Sequence, residues 1–264
     1  MSFPVTAIEF LGAKVTHWFK IAYGIFALFA RALRYLGHAS TWNRATYDVV
    51  MKQIYFTAVQ ILPLFLLYAL VISWLMINII FNTARDFGLT EFATEMTIRV
   101  VILELLPFLT ALFIALRSGS AINTEVALMR VNNELDALTH CQVSPMQFEF
   151  LPRLIGGMVS MLTLAGLACL LAMGLAYTSI YGFELTGLDP FTQTVGKLFV
   201  PTVVVGFFVK GILFGLAVTL IPISAGLETP KKLFMVPVSV LRGMMQVFFV
   251  LVAIEVVSLA LQYI

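Results

Sequence analysis

Three ionisable residues lie inside stretches that are otherwise apolar: Glu104 in VVILELLPF, Lys210 in VVVGFFVKGILFG and Glu255 in VFFVLVAIEVVSLAL. An ionised group near the centre of a bilayer costs about 2.5–3.5 kcal/mol on insertion scales, and it is normally paired or turned toward a polar cavity. Two kinds of chemistry follow. Mutual pairing inside a helical bundle would fix helix register, whereas charges facing a cavity would bind a polar group or switch between two states.

Other constellations are weaker. A phosphate-binding loop needs glycine backbone around a Gly-Lys-Ser/Thr end, and Gly196-Lys197 is followed by Leu198 with no earlier glycine in register. The chain is therefore expected not to hydrolyse ATP by itself. His17, His38 and His140 share no metal-ligand spacing with one another or with Cys141 and Cys169, so no metal site is expected. The two cysteines, 28 positions apart in unlike contexts, read as free. Ser118-Gly119-Ser120 has no strand before it and is not a nucleophile elbow. An integral-membrane enzyme would need titratable residues gathered at one depth, which Glu104, Lys210 and Glu255 supply only weakly.

One polar segment stands apart, RSGSAINTEVALMRVNNELDALTHCQVSPMQFEFLPR at 117–153. Its small opening residues allow a tight turn or a close helix approach. Across Ile122 to Thr139 the apolar Val126, Met129, Leu135 and Leu138 alternate with Glu125, Arg130, Glu134 and Asp136, which predicts one amphipathic helix. Such a helix either docks into a partner at the membrane face or packs on its own bundle, and spacing does not separate the two.

These residues need a scaffold, and composition says what kind. Of the 264 residues 61% are hydrophobic and 11% charged, against about 45–50% and 25% in soluble domains, and the mean hydropathy is +0.99. Too few polar residues remain for a soluble skin, so most of the chain is solvated by lipid. The net charge of +2 gives no basic excess to track a nucleic acid.

A crossing helix needs about 20 apolar residues at 1.5 Å each. Five spans are predicted, at about 53–82, 100–116, 154–183, 198–220 and 244–264. The second, about 25 Å long, works if Arg99 and Arg117 snorkel. Residues 3–36 carry charge too often to span and read as a helix lying along the interface, retained because no cleavage site follows Ile21 to Ala30. The expected architecture is all-α: an N-terminal interfacial helix, then five transmembrane helices, in a single domain over 1–264. With alternating sides, twelve basic residues fall on the side of the N-terminus and of loops 117–153 and 221–243, and only Arg85, Arg99 and Lys197 on the other. The basic side is expected to be cytoplasmic and the C-terminus outside.

The run LELLPFLTALFIALRSGSAINTEVALMRVNNELDALTHCQVSPMQFEFLPR resembles the signature of the MlaE/YrbE family, permeases of MCE-type ABC lipid transporters. That signature reads Arg-Glu-Leu-Gly-Pro, Ala-Gly-Arg-x-Gly-Ser-Ala, Ala-Glu-x-Gly-x-Met, Thr-Glu-Gln, Asp-Pro and Pro-Arg. Glu104, Pro107, Arg117, Gly119, Ser120, Ala121, Glu125, Met129, Pro145, Pro152 and Arg153 match, and Lys210 fits a lysine of the family's fourth span. Leu103 stands for its arginine, Leu106 for its glycine, Asn133-Glu134 for Glu-Gln and Ser144 for aspartate, which marks a divergent member.

The resemblance implies a permease in a bacterial inner membrane that moves phospholipid between that membrane and a periplasmic MCE protein. It implies a second permease copy, a cytoplasmic ATPase holding ATP and magnesium, and a small STAS-type regulatory subunit; no cofactor is expected in this chain. Glu104, Lys210 and Glu255 become candidates for lipid binding or switching, with Glu104 beside a cavity at a dimer interface. Arg117, Glu125, Met129, Arg130 and Glu134 become candidates for ATPase coupling within a cytoplasmic helix between the second and third spans. The rival reading is a membrane scaffold that anchors a cytoplasmic complex without moving substrate.

Overall fold

The computed structural model describes residues 23–37, 44–182 and 187–263, and among these it is all helical with no strand. The elements are α1 (23–36), α2 (Arg44–Ile54), α3 (Leu62–Asp86), α4 (Thr90–Met96), α5 (Leu106–Ile114), α6 (Ser120–Val131), α7 (Glu134–His140), α8 (Leu151–Tyr181), α9 (Leu188–Leu198), α10 (Pro201–Leu227) and α11 (Val236–Tyr263). Five helical runs are long and apolar enough to cross a membrane, Thr46–Asp86, Phe92–Val131, Met146–Tyr181, Pro201–Leu227 and Leu233–Leu261, and the first three include π-helical segments. Five spans were expected and five are present, each longer than its apolar stretch predicts.

Three of the four π segments among the described residues share a sequence cause; the fourth, Ala115–Gly119, has no proline beside it. Tyr55–Val59, Thr97–Leu105 and Met146–Phe150 each lie just before a proline, Pro63, Pro107 or Pro152. Proline lacks the backbone N–H and its ring crowds the carbonyl four residues back, so the preceding turn widens. At the second of these, Leu106 N–H bonds the Val101 carbonyl in the π register. The next carbonyl, Ile102, would then look to residue 107, which has no proton to give. Cys169 donates its thiol to it instead, at 3.2 Å.

The core forms three layers. At the end bearing α1 and α7, called here the basic end, Leu28 and Ala32 pack with Ile122, Val126, Leu151, Leu154 and Ile223. Phe65, Ala111, Ile114, Met161, Leu164 and Phe214 fill the middle. At the far end Ile77, Ile98, Ile102, Ala172 and Ala176 meet Phe191 and Leu198 of α9. Lipid tails offer no hydrophobic gain for helix association, so close backbone approach through small residues does much of the holding. A Cβ on Gly215 would lie 2.8 Å from the Met158 Cα, and one on Gly211 would lie 2.6 Å from Leu162 Cδ2. The GxxxG pair of the fourth span is thus the surface on which α10 crosses α8, and Ala168, Ala172 and Ala176 are fully buried. Outward faces remain apolar, with Leu67, Trp74, Leu241, Phe248 and Val256 all exposed.

Two expectations need correction. The second span is not a 17-residue helix ending at Arg117: the helix runs unbroken from Phe92 to Val131. Ser118-Gly119-Ser120 serves close approach rather than a turn, since a Cβ on Gly119 would sit 3.2 Å from the Val218 carbonyl. Nor is Ile122 to Thr139 one helix. It breaks between α6 and α7 at Asn132-Asn133, where Asn133 takes φ 58°, a left-handed conformation that asparagine tolerates well. Of the predicted interfacial helix at 3–36, residues up to 22 lie outside the described residues. Its described part, α1, turns Leu28 and Ala32 onto the bundle and leaves Tyr23, Phe26 and Leu33 exposed.

Candidate functional site

The helix register carries Glu104, Lys210 and Glu255 to one place. Glu104 closes the long π segment before Pro107, Lys210 lies a third of the way down α10, and Glu255 belongs to α11. The Lys210 ammonium is ion-paired to Glu104, donates to Glu255 Oε1 at 3.0 Å, and has Glu255 Oε2 at 2.9 Å outside hydrogen-bonding direction. Its side chain is 3% exposed, and its Nζ lies 5.9 Å from the centre of the Phe214 ring. Three helices are thereby tied through one cation, so the mutual-pairing geometry is present.

The same group also faces a cavity. A space of about 800 Å³ is walled by the first half of α10, the second half of α11 and the π segment of the second span, with Glu104 and Lys210 in its wall. Its remaining surface is mostly apolar, from Leu103, Val203, Val209, Leu213, Val250 and Ile254. Arg99, Lys197, Thr202 and Ser258 supply the other polar side chains. Arg99 and Lys197 were not among the expected site residues, although two of only three basic residues assigned to that end by the charge count was a signal for them. The Leu103 that stands where the resembled signature has arginine lines the wall one helical turn from Arg99.

The candidate coupling residues separate. Arg117 is exposed part-way along the second span, about 20 Å of helix from Arg130. Glu125 is exposed and pairs at 3.1 Å with Arg153, which also holds Glu149 at 2.9 Å. Met129 and Arg130 are half-buried, and exposed Glu134 accepts from the Asn132 side chain at 3.1 Å. The opposite face of α6 is packed into its own bundle, with Ile122, Asn123, Val126 and Ala127 buried. Asn123 donates to the Ser239 carbonyl at 3.3 Å, and the Ser239 hydroxyl donates to the Ala225 carbonyl at 2.9 Å. Close packing backs this network, because a Cβ on Gly243 would meet Asn123 Nδ2 at 2.2 Å. The packing alternative therefore holds along one face of α6, and the opposite face is exposed.

The turn beyond α6 is tied by Lys231, which donates to Asn133 Oδ1 and, at 3.0 Å, to Asp136 Oδ2. That bond holds the Asp136 carboxyl below its ordinary range. The tie is present above the ordinary aspartate range and is lost as pH falls through the lowered value.

With this geometry in view, the comparisons with known proteins can be placed. The family model described as Permease MlaE matches residues 50–261. The chain is 28% identical over 233 residues to the intermembrane phospholipid transport system permease protein MlaE of Haemophilus influenzae, covering 85% of each. It is 26% identical over 231 residues to a probable ABC transporter permease protein of Rickettsia prowazekii, again over 85% of each. A probable ABC transporter permease protein of Synechocystis is 34% identical over 128 residues, 48% of each chain.

Proposed function

Because the chain belongs to the MlaE permease family, we propose that it is the membrane subunit of an ABC transporter that moves phospholipid between a bacterial inner membrane and a periplasmic MCE protein. The observation that carries the substrate reading is the far-end cavity. Its volume of about 800 Å³ falls within the roughly 300–1,000 Å³ of ligand pockets, and its wall is apolar with a few convergent polar groups, as an acyl chain beside a headgroup requires. The phospholipid named for the Haemophilus relative agrees with it.

On this reading the basic end is cytoplasmic, by the excess of Lys and Arg there. An ATPase subunit binds the exposed face of α6 with α7, and supplies the ATP and magnesium this chain lacks motifs to use. The MCE protein meets the far end, over the cavity mouth. A second permease copy fits the exposed apolar flank of α11, and a small STAS-type subunit would sit on the cytoplasmic side.

The test is ATP-driven lipid transfer by the chain reconstituted with its ATPase and MCE partners. Glu104→Gln and Glu104→Ala are informative because Lys210 keeps Glu255 as a partner, so the fold is expected to survive. Transfer is expected to fall about tenfold or more at normal protein level, the loss of one charge-assisted contact in the lipid path. Wild-type transfer in both variants would remove Glu104 from the site. No lipid bound and no transfer with the wild-type chain would favour the scaffold.

Coupling is tested separately. Glu125→Lys and Glu134→Lys reverse charge on the exposed face, and Arg130→Glu does so at its edge. Each is expected to weaken co-purification with the ATPase and its permease-stimulated turnover by several-fold, as rim charges do, while the cavity's lipid occupancy stays unchanged. Unaltered complex and turnover in all three would move the ATPase contact away from α6 and α7.

A further inference from the structure

Charge decides how a phospholipid can lie in this cavity, and the answer rests on the lipid reading just proposed. Two positions compete for a phosphate. The deeper is at Glu104 and Lys210, where the one ammonium is already engaged by two carboxylates, Glu104 and Glu255. A phosphate there would meet a cation with no charge to spare, and Leu103 contributes none. The shallower position is the mouth, where Arg99 of the second span and Lys197 of α9 both line the wall.

The two mouth cations are differently committed. Arg99 is exposed and gives one guanidinium nitrogen to Glu95 at 3.0 Å, leaving other N–H groups of its fork. Among the described residues no carboxylate lies within 4 Å of Lys197. The Thr202 hydroxyl and the opening turn of α10 lie in the same wall, adding donors to a site that the two cations define. Away from them the wall runs along α10 from Thr202 to Leu213, about 16 Å of helix, and is apolar apart from Lys210, whose charge is held by Glu104 and Glu255.

We propose that Arg99 and Lys197 form a phosphate-binding rim that holds a glycerophospholipid headgroup at the cavity mouth, with the acyl chains directed inward along α10 toward Leu213 and Val250. The phosphodiester is the recognised group; Arg99 suits it through its planar fork and Lys197 as a point charge. The bound lipid stands headgroup-out, so its phosphate leaves the rim first when a partner takes it.

The experiment uses the purified transporter complex in nanodiscs of neutral phosphatidylcholine doped with equal amounts of phosphatidylglycerol and of diacylglycerol bearing the same chains. Lipid retained after detergent washing is counted by mass spectrometry. Wild type is expected to retain phosphatidylglycerol about tenfold over diacylglycerol. Arg99→Gln/Lys197→Gln is expected to retain both about equally, and Arg99→Lys to keep most of the preference. Both positions are exposed, so elution as an intact complex identifies a folded variant. Leu213→Trp, which adds bulk to the apolar wall away from the rim, is expected to lower both lipids without changing their ratio.

Equal retention of the two lipids by wild type, or an unchanged preference in the double variant, would overturn the rim while leaving the lipid cavity in place. Retention of neither probe lipid nor of phosphatidylcholine by wild type would overturn the lipid reading itself. Glycerol phosphate added at the same concentration is expected to leave bound phosphatidylglycerol unchanged. Its displacement of the lipid would assign the rim to a soluble phosphate ester and overturn the proposal.

Discussion

Lys210→Met is expected to be the most destabilising single substitution at the site, costing about 3–5 kcal/mol, because it leaves two carboxylates buried without their cation. Methionine matches the lysine stem in length and suits the apolar wall, so lost packing is a minor part of the effect. The two acids would share protons or draw in water, and the second span, α10 and α11 would lose their common tie. Protein level in membranes and the unfolding temperature in detergent read this directly. The triple variant Glu104→Gln/Lys210→Met/Glu255→Gln removes charge from all three positions and is expected to recover most of the lost stability, since a buried ion cluster replaced as a whole is often neutral.

Comparing the two variants separates register from function. A triple variant that is stable but transfers no lipid would show that the charges serve the transport path. One that is stable and active would reduce them to a device for aligning helices. Lys210→Met as stable as wild type would contradict the geometry, in which the ammonium is 3% exposed between two acids.

How far the sequence revealed this site follows from where its information lies. Charge inside an apolar stretch is visible along the chain because it violates the local solvent, so Glu104, Lys210 and Glu255 stood out singly. Their mutual pairing was one of two alternatives the sequence left open, since it depends on the rotation of three helices, and the π segment at Thr97–Leu105 alters that rotation in a way only Pro107 hints at. The five spans were legible from hydropathy. The continuity of the second through Arg117 was not, because an exposed arginine ends an apolar window without ending a helix. The break at Asn133 was written in the Asn-Asn pair, but it competed with a helical apolar period on both sides. Arg99 and Lys197 were read as topology markers, and only the cavity gives them a common target.

Gly215→Ala is the second large effect expected, and it tests how α10 is held at the depth where Lys210 acts. The added Cβ would lie 2.8 Å from the Met158 Cα and 3.3 Å from its nitrogen. Those are backbone atoms of α8, and no side-chain rotation can clear them. The helices must separate, at a cost of about 1–3 kcal/mol by the usual penalty for overpacking. Gly166→Ala on α8 is the control, because nothing lies within 4 Å of the Cβ it would add. It is expected to be neutral or to gain a few tenths of a kcal/mol from higher helix propensity. Separation of α10 from α8 would also shift Lys210, little more than one helical turn away, relative to Glu104. Gly215→Ala is therefore expected to lower lipid transfer as well as unfolding temperature, and Gly166→Ala to change neither. A Gly215→Ala chain that unfolds and transfers lipid like wild type would show that the crossing at Met158 does not set the position of Lys210.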